Sequence, residues 1–220
     1  MAKQEKKKVS RIKVIKKSWC RIIAPKVFGD KDMGEMYVAS AEKALGRVLH
    51  YNLKELTGNV RDQNAYLTFS ITHKSGDALQ TALTGYELTT GSVKRMVRKN
   101  TNRLDDYIIV KTKSGQKVVI KVLLITLHKT QRSVQARLRK ELHAVLLEEM
   151  EKGDFVSFME KVVNGSLRAL VQKRLHAIYP VREIAIKSLK LKEGEASVDT
   201  PEKEVEKVVA APEAAAALPA

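Results

Sequence analysis

The residue types that most often catalyse reactions or bind metals are few and scattered in this sequence. A metal site needs several histidine, cysteine, aspartate or glutamate ligands at short, characteristic spacings. Cys20 is the only cysteine, and none of the histidines falls at such a spacing. The five histidines are His50, His73, His128, His143 and His176. We therefore expect no metal site and no cofactor.

The patterns typical of catalytic sites are also missing. Five residues separate Gly85 from Gly91, and Ser92 follows instead of a lysine, so this stretch does not match a phosphate-binding loop. The acidic pairs at 105–106 and 148–149 are neighbours in sequence, and neighbouring side chains diverge on both strands and helices. Cys20 has no recognisable catalytic base beside it. The sequence thus predicts a protein that is not an enzyme, with an RNA-modifying enzyme using Cys20 or a carboxylate as an alternative.

What recurs instead is clustered lysine and arginine. The chain has 41 Lys and Arg against 25 Asp and Glu, a formal net charge of +16. Clustered positive charge indicates a polyanionic partner, most commonly nucleic acid, although each cluster alone could be a solvated face. The candidate RNA-binding residues are Lys6, Lys7, Lys8, Arg11, Lys13, Lys16, Lys17 and Arg21 near the N-terminus, then Lys94, Arg95, Arg98, Lys99, Lys129, Arg132, Arg137, Arg139, Lys140, Lys173 and Arg174.

The first 28 residues combine a basic arm with an apolar segment. The arm, residues 1–18, is too charged to fold alone, because like charges repel and little apolar surface can be buried. The segment that follows contains Trp19, Pro25 and Phe28, which we predict to be a structural anchor on the folded body. The arm would then become ordered along a nucleic acid.

The low aromatic content bears on how RNA would be bound. Aromatic residues make up 5% of the chain, and most of them lie inside strand patterns. Base stacking on an aromatic platform is therefore not the favoured mode. Phosphate contacts and recognition of folded RNA shape fit the composition better.

The hydrophobic pattern predicts an α+β fold. A β-barrel-like N-terminal domain of about six or seven strands is expected over residues 19–128. Its strands are predicted at 19–24, 35–40, 47–53, 66–72, 78–88, 107–110 and 118–127, with a bulge at Gly85. A helix is predicted at 93–99, capped by Ser92.

After residue 128 the apolar period becomes helical. A C-terminal helical region is predicted over 129–192, with helices beginning after Ser133, Asp154 and Ser166. Residues 183–192 alternate again and predict a returning strand, with a possible bulge. Residues 193–220 are rich in Glu, Lys and Ala, lack aromatics, and are expected to be a disordered tail.

Three blocks, in the same order and at matching spacing, resemble one known family. They are Lys16-Lys17-Ser18-Trp19 with Ala24-Pro25 and Phe28, then Gly46-Arg47-Val48 with Leu53-Lys54-Glu55-Leu56, and finally Ile178-Tyr179-Pro180-Val181. The resemblance covers about residues 10–192. The family is the small-subunit ribosomal protein family of archaea and eukaryotes called S-three-A-e, also named S-one-e, and the short N-terminus looks more archaeal.

This resemblance implies a structural constituent of the small ribosomal subunit that supports translation. It implies a position on the subunit platform, near the 3′ end of the small-subunit rRNA and the mRNA exit. The expected partners are small-subunit rRNA, neighbouring small-subunit ribosomal proteins and mRNA near the exit. No membrane partner is expected, and a cytoplasmic location follows. The alternative is a free nucleic-acid-binding protein outside the ribosome, such as an RNA chaperone or a chromatin factor.

Overall fold

The computed structural model describes residues 16–76 and 78–192. Within these residues the chain forms eight β-strands and five α-helices. The strands are β1 Ser18–Ile23, β2 Asp32–Val38, β3 Val48–Asn52, β4 Ala65–Ser75, β5 Ala78–Leu88, β6 Arg103–Lys111, β7 Lys117–Thr126 and β8 Val181–Leu191. The helices are α1 Leu53–Thr57, α2 Thr90–Met96, α3 Arg132–Lys152, α4 Phe155–Val163 and α5 Ser166–His176. Three 3-10 helices lie at Lys26–Phe28, Ala41–Ala44 and Val60–Asn64.

All eight strands belong to one sheet organised around β5. On one edge, β5 pairs antiparallel with β4, and β4 pairs with β3. On its other edge, the beginning of β5 pairs in parallel with β1 and its end pairs antiparallel with β8. The path through the sheet is β2-β1-β5-β8-β7-β6. The predicted α+β fold and the returning strand are confirmed, and the described strands form an open sheet.

Two of the bulges in the sheet lie next to the pairing of β5 with β8. Thr68 pairs with Gly85 and Phe69 pairs with Leu83, so β5 carries one extra residue beside Gly85, as the sequence predicted. A Cβ at Gly85 would lie 3.0 Å from the backbone oxygen of Leu189, so only glycine allows this close approach of β8. The second bulge is in β8, where the pairing with β7 skips Lys187.

The main core lies between the sheet and helices α3 to α5. The buried residues Leu138, Leu142, Val145, Leu146 and Met150 give α3 an inner face with the predicted helical spacing. Alternate residues of β7, from Val118 to Leu124, bury against this core. The opposite face of β7 is covered by α2, where a smaller cluster contains Val93, Leu123 and Ile125. The second half of β7 is therefore buried on both faces, and this accounts for the apolar run from Val122 to Ile125, whereas Lys117 and Lys121 in the first half are exposed.

The helix ends differ from the predicted ones in informative ways. Thr89, not Ser92, caps α2, because its hydroxyl accepts a hydrogen bond from the backbone N–H of Ser92 at 3.4 Å. The helix therefore begins at Thr90 and ends at Met96, and the cations at 98 and 99 lie beyond it. Ser133 is likewise inside α3, whose N-cap is Gln131.

Helix α1 was absent from the sequence prediction. The predicted strand at 47–53 ends at Asn52, whose side chain accepts a hydrogen bond from the backbone N–H of Lys54 at 2.9 Å. Gly58 then ends the helix in the left-handed conformation, with φ of 77°. The asparagine and the glycine were the local signals for a one-turn helix between them.

Across residues 16–76 and 78–192, no group of three His, Cys, Asp or Glu side chains is placed to hold a metal ion. None of the described helices has both the length and the apolar character needed to span a membrane.

Candidate nucleic-acid interface

The basic arm enters the described structure at its last residues. Lys16 and Lys17 are exposed just before β1, and Arg21 is exposed on β1 itself. The Arg21 guanidinium is 4.0 Å from the Glu35 carboxylate, and both side chains are at least half exposed. The arm candidates Lys6, Lys7, Lys8, Arg11 and Lys13 lie outside the described residues and stay predictions.

Trp19 does not attach β1 to the core by burial, and other residues of the strand face inward. Cys20 and Ile22 point inward and are buried, whereas Trp19, between them and the arm, is 64% exposed. Residues alternate across a strand, so only one set could face the core. Of the other predicted anchors, Pro25 is half-buried and Phe28 packs edge-on against the buried Phe69, with ring centroids 6.0 Å apart.

Two of the predicted clusters are brought together at one end of the sheet. The side-chain amide of Asn102 donates to the backbone carbonyl of Thr130 at 3.1 Å and to its hydroxyl at 3.0 Å. Thr101 in turn donates to the carbonyl of Arg98 at 2.7 Å. These bonds hold the segment after α2 beside the segment before α3. We give the name loop-end surface to the exposed cations of these two segments together with those of α2 and of the start of α3: Lys94, Arg95, Arg98, Lys99, Lys129 and Arg132.

The loop-end surface and the described end of the arm, Lys16 and Lys17, lie at different places on the sheet. Strand β1 pairs with the beginning of β5, and α2 follows the end of β5. The two basic regions therefore lie towards opposite ends of β5. Cations also suit the last turn of α2, where Lys94 and Arg95 interact favourably with the helix dipole.

Two of the predicted RNA-binding arginines form ion pairs with acidic side chains of the protein itself. Arg174 forms two hydrogen bonds with Glu148, at 2.9 and 3.2 Å. These bonds lower the pKa of Glu148 and raise that of Arg174. Arg139 forms an ion pair with the largely buried Asp106 at 3.1 Å. Both arginines lie on helices, as predicted, but the neighbouring carboxylates of Asp106 and Glu148 balance their charges.

The remaining candidates are exposed on the helical side. Arg137 and Lys140 lie on the outer face of α3, and Lys173 is exposed on α5. No contact with nucleic acid is established for any candidate residue, so their roles stay predictions.

The structure contains a further basic surface that was not predicted from the sequence. The outward residues of β6 and β7 include Lys111 and its cross-strand partner Lys117, and Lys121, which pairs with Tyr107. Lysines directly opposite each other repel, so an anionic partner would stabilise this arrangement. Tyr107 and Ile109 on the same face are 57% and 50% exposed. The alternation of β6 was the available signal, but it did not show which face meets solvent.

A cleft borders the loop-end surface. It has a volume of about 530 Å³ and is lined by residues that include Arg61, Arg95, Arg168, Tyr86 and Glu183. Arg168 and Glu183 are 3.3 Å apart and partly neutralise each other. Burial raises the pKa of Tyr86 to about 12, so its phenol stays protonated at neutral pH. The cleft is thus polar and of mixed charge, and it extends the loop-end surface inward.

Comparisons with known proteins agree with the resemblance drawn from the sequence motifs. The model of the Ribosomal S3Ae family matches residues 3–194. The chain is similar to the small ribosomal subunit protein eS1 of Methanobrevibacter smithii, with 33% identity over 84% of this chain and 96% of the relative. It is also similar to the eS1 proteins of Methanothrix thermoacetophila and Sulfolobus acidocaldarius. The first is 30% identical over 91% of this chain and 94% of the relative. The second is 31% identical over 80% of this chain and 89% of the relative.

The family match covers all three motif blocks and all of the described residues. The chain is therefore an archaeal-type member of the ribosomal S3Ae family.

Proposed function

We propose that this protein is a structural constituent of the small ribosomal subunit that binds small-subunit rRNA and has no catalytic role. The observation that carries the proposal is the family match over residues 3–194, together with archaeal relatives named as small ribosomal subunit proteins over at least four-fifths of the chain. The charge of +16 and the exposed cations support the rRNA contact.

The structure suggests a ranking of the predicted RNA contacts. Phosphate contacts require cations that can displace the counterions condensed on RNA, so exposed cations away from acids are favoured. The end of the arm and the loop-end surface meet this condition. Arg137, Lys140 and Lys173 are exposed and come next. Arg139 and Arg174 come last, because Asp106 and Glu148 already balance them.

The finer location follows from the resemblance and belongs to the same proposal. The protein would sit on the subunit platform near the mRNA exit, in the cytoplasm, beside other small-subunit proteins and within reach of mRNA. Basic surfaces towards opposite ends of β5 would let one compact protein contact separate RNA segments and hold them together.

The test is sedimentation of a native lysate through a sucrose gradient at low and moderate salt, with detection of this chain. We expect it to migrate with small subunits and with initiating ribosomes in near-stoichiometric amounts, and to stay there at moderate salt. Residence at the top of the gradient, or release at slightly raised salt, would overturn the proposal. That result would favour the alternative of a free nucleic-acid-binding protein.

A further inference from the structure

The two aromatic rings on the outward face of β1 and β2 form an exposed platform. Trp19 and Tyr37 are direct cross-strand partners, and their ring centroids are 4.9 Å apart with an angle of 38° between the planes. Trp19 is 64% exposed and Tyr37 is 50% exposed. Large aromatic rings usually contribute to cores or interfaces, so an adjacent exposed pair indicates a surface that meets a partner.

The charges around the platform indicate the chemistry of that partner. The Lys17 ammonium lies 5.5 Å from the centroid of the Tyr37 ring. Arg21 projects from the same face of β1 as Trp19, two residues further along the strand, and its side chain is 72% exposed. Glu35, the partner of Arg21 across the strands, is the acidic group facing it, at 4.0 Å. Positive groups therefore flank the rings on both sides along the strand.

The backbone around the platform leaves room for an extended ligand. One edge of β1 pairs with β2 along its length, but β5 covers the other edge only from Arg21 to Ile23. In the part of the chain that the structure describes, the edge beside Trp19 has no strand partner. The basic arm joins at this point, so the chain that enters the platform carries further positive charge.

We propose that Trp19 and Tyr37 form a stacking platform for an unpaired base of RNA, with Lys17 and Arg21 binding the flanking phosphates. Every base offers a flat π-face, and stacking on an aromatic ring combines with cation contacts to the backbone in single-strand recognition. The proposal rests on the proposed function, since it names a contact within rRNA binding. The low aromatic content predicted that base stacking is not the favoured mode of RNA binding. A single exposed pair of rings is nevertheless sufficient for one stacking contact.

Trp19 makes the test direct, because it is the only tryptophan in the chain. The probes are a single-stranded oligoadenylate of about 12 nucleotides, long enough for a typical single-strand site, and heparin, a polyanion without bases. With the full chain, we expect oligoadenylate to quench the tryptophan fluorescence at saturation. Heparin should bind through the same cations and leave most of the fluorescence unchanged.

Substitutions test the same contact without fluorescence. We expect Trp19→Leu and Tyr37→Leu each to weaken oligoadenylate binding roughly tenfold while leaving the salt dependence and the thermal midpoint unchanged. Tyr66→Leu is the matched control, because this exposed tyrosine lies on β4, outside the platform and the basic surfaces. It should bind as the unmodified chain does.

Two results would overturn the platform. The first is equal quenching by heparin and oligoadenylate together with Trp19→Leu binding oligoadenylate as tightly as the unmodified chain. This result would show that the surface does not bind bases, and it would assign the surface to contact with a neighbouring protein. In that case rRNA binding through the other cations would still stand. If the unmodified chain binds neither oligoadenylate nor small-subunit rRNA, the proposed function fails together with the platform.

Discussion

The placement of the cations, more than their number, should determine how this protein binds RNA. Consider two double variants with the same change in net charge. Arg98→Gln with Lys99→Gln removes two exposed cations from the loop-end surface. Arg139→Gln with Arg174→Gln removes two cations that are already paired with Asp106 and Glu148.

The magnitude follows from counterion release. Each phosphate neutralised by a cation contributes about 0.7 to 0.9 to the slope of log affinity against log salt. If Arg98 and Lys99 each contact one phosphate, their removal lowers the slope by about 1.4 to 1.8. Relative to 1 M salt, this corresponds to roughly 40-fold weaker binding at about 0.1 M. Removing the paired arginines should leave the slope nearly unchanged.

The assay is fluorescence anisotropy with labelled small-subunit rRNA fragments at several salt concentrations, with thermal melts of both variants alongside. The loop-end variant should keep its stability, because Val93 still packs α2 against Leu123 and Ile125. The paired-arginine variant should melt earlier, since it leaves the largely buried Asp106 without its partner. Equal changes in slope for the two variants would refute the reasoning, because net charge alone would then explain binding.

Three further substitutions and one control substitution test the fold that positions these surfaces. Gly85→Ala should destabilise the protein by about 1–3 kcal/mol, because the new Cβ meets the backbone of β8 at 3.0 Å, whereas Gly91→Ala, in open space, should be neutral or stabilising. Phe69→Ala should lower the free energy of unfolding by about 3–5 kcal/mol in urea titrations, since the ring is fully buried. Glu149→Gln should reduce the loss of thermal stability that occurs as the pH falls into the acidic range. The reason is that hydrogen bonds from Lys161 and Lys152 lower the pKa of Glu149 in the folded protein.

The sign of the pH effect follows from linkage. A carboxylate whose pKa is lowered by folding contributes stability above the pKa of the unfolded chain. That contribution disappears as the pH falls through the lowered pKa of the folded protein. The Gln variant should therefore be less stable than the unmodified chain at neutral pH and approach it in acid. A stability difference between the Gln variant and the unmodified chain that stays constant at all pH values would contradict the role of Glu149. For the glycines, an equal loss of stability in Gly85→Ala and Gly91→Ala would contradict the close approach at Gly85.

Local signals in the sequence predicted most of the secondary structure. The predicted strand at 78–88 and the predicted helix at 155–163 match β5 and α4 residue for residue. In both cases turn or capping residues flank a clean apolar period, so the local pattern carries the boundaries. Helix α2 was displaced by three residues because Thr89 and Ser92 are both good capping residues, and the sequence does not show which hydroxyl is used.

The site was harder to predict because its properties depend on tertiary contacts. The sequence around Trp19 alternates as a strand does, but it does not show which face of the strand points inward. That depends on how β1 packs, and in the structure Cys20 and Ile22 lie on the buried face. Arg139 and Asp106 are far apart in sequence and meet only because α3 lies against β6. Which cations are free for RNA therefore could not be decided from the sequence alone.

The most direct test of rRNA binding within the subunit is ultraviolet cross-linking of isolated small subunits, followed by identification of the RNA-linked peptides of this chain. We expect cross-links in peptides from the end of the arm through Trp19, and in peptides of the loop-end surface around residues 94–99 and 129–132. Peptides containing Arg174 should carry few or none. If the chain is present in the subunits but yields no cross-links to rRNA at these surfaces, the proposed mode of rRNA binding is contradicted.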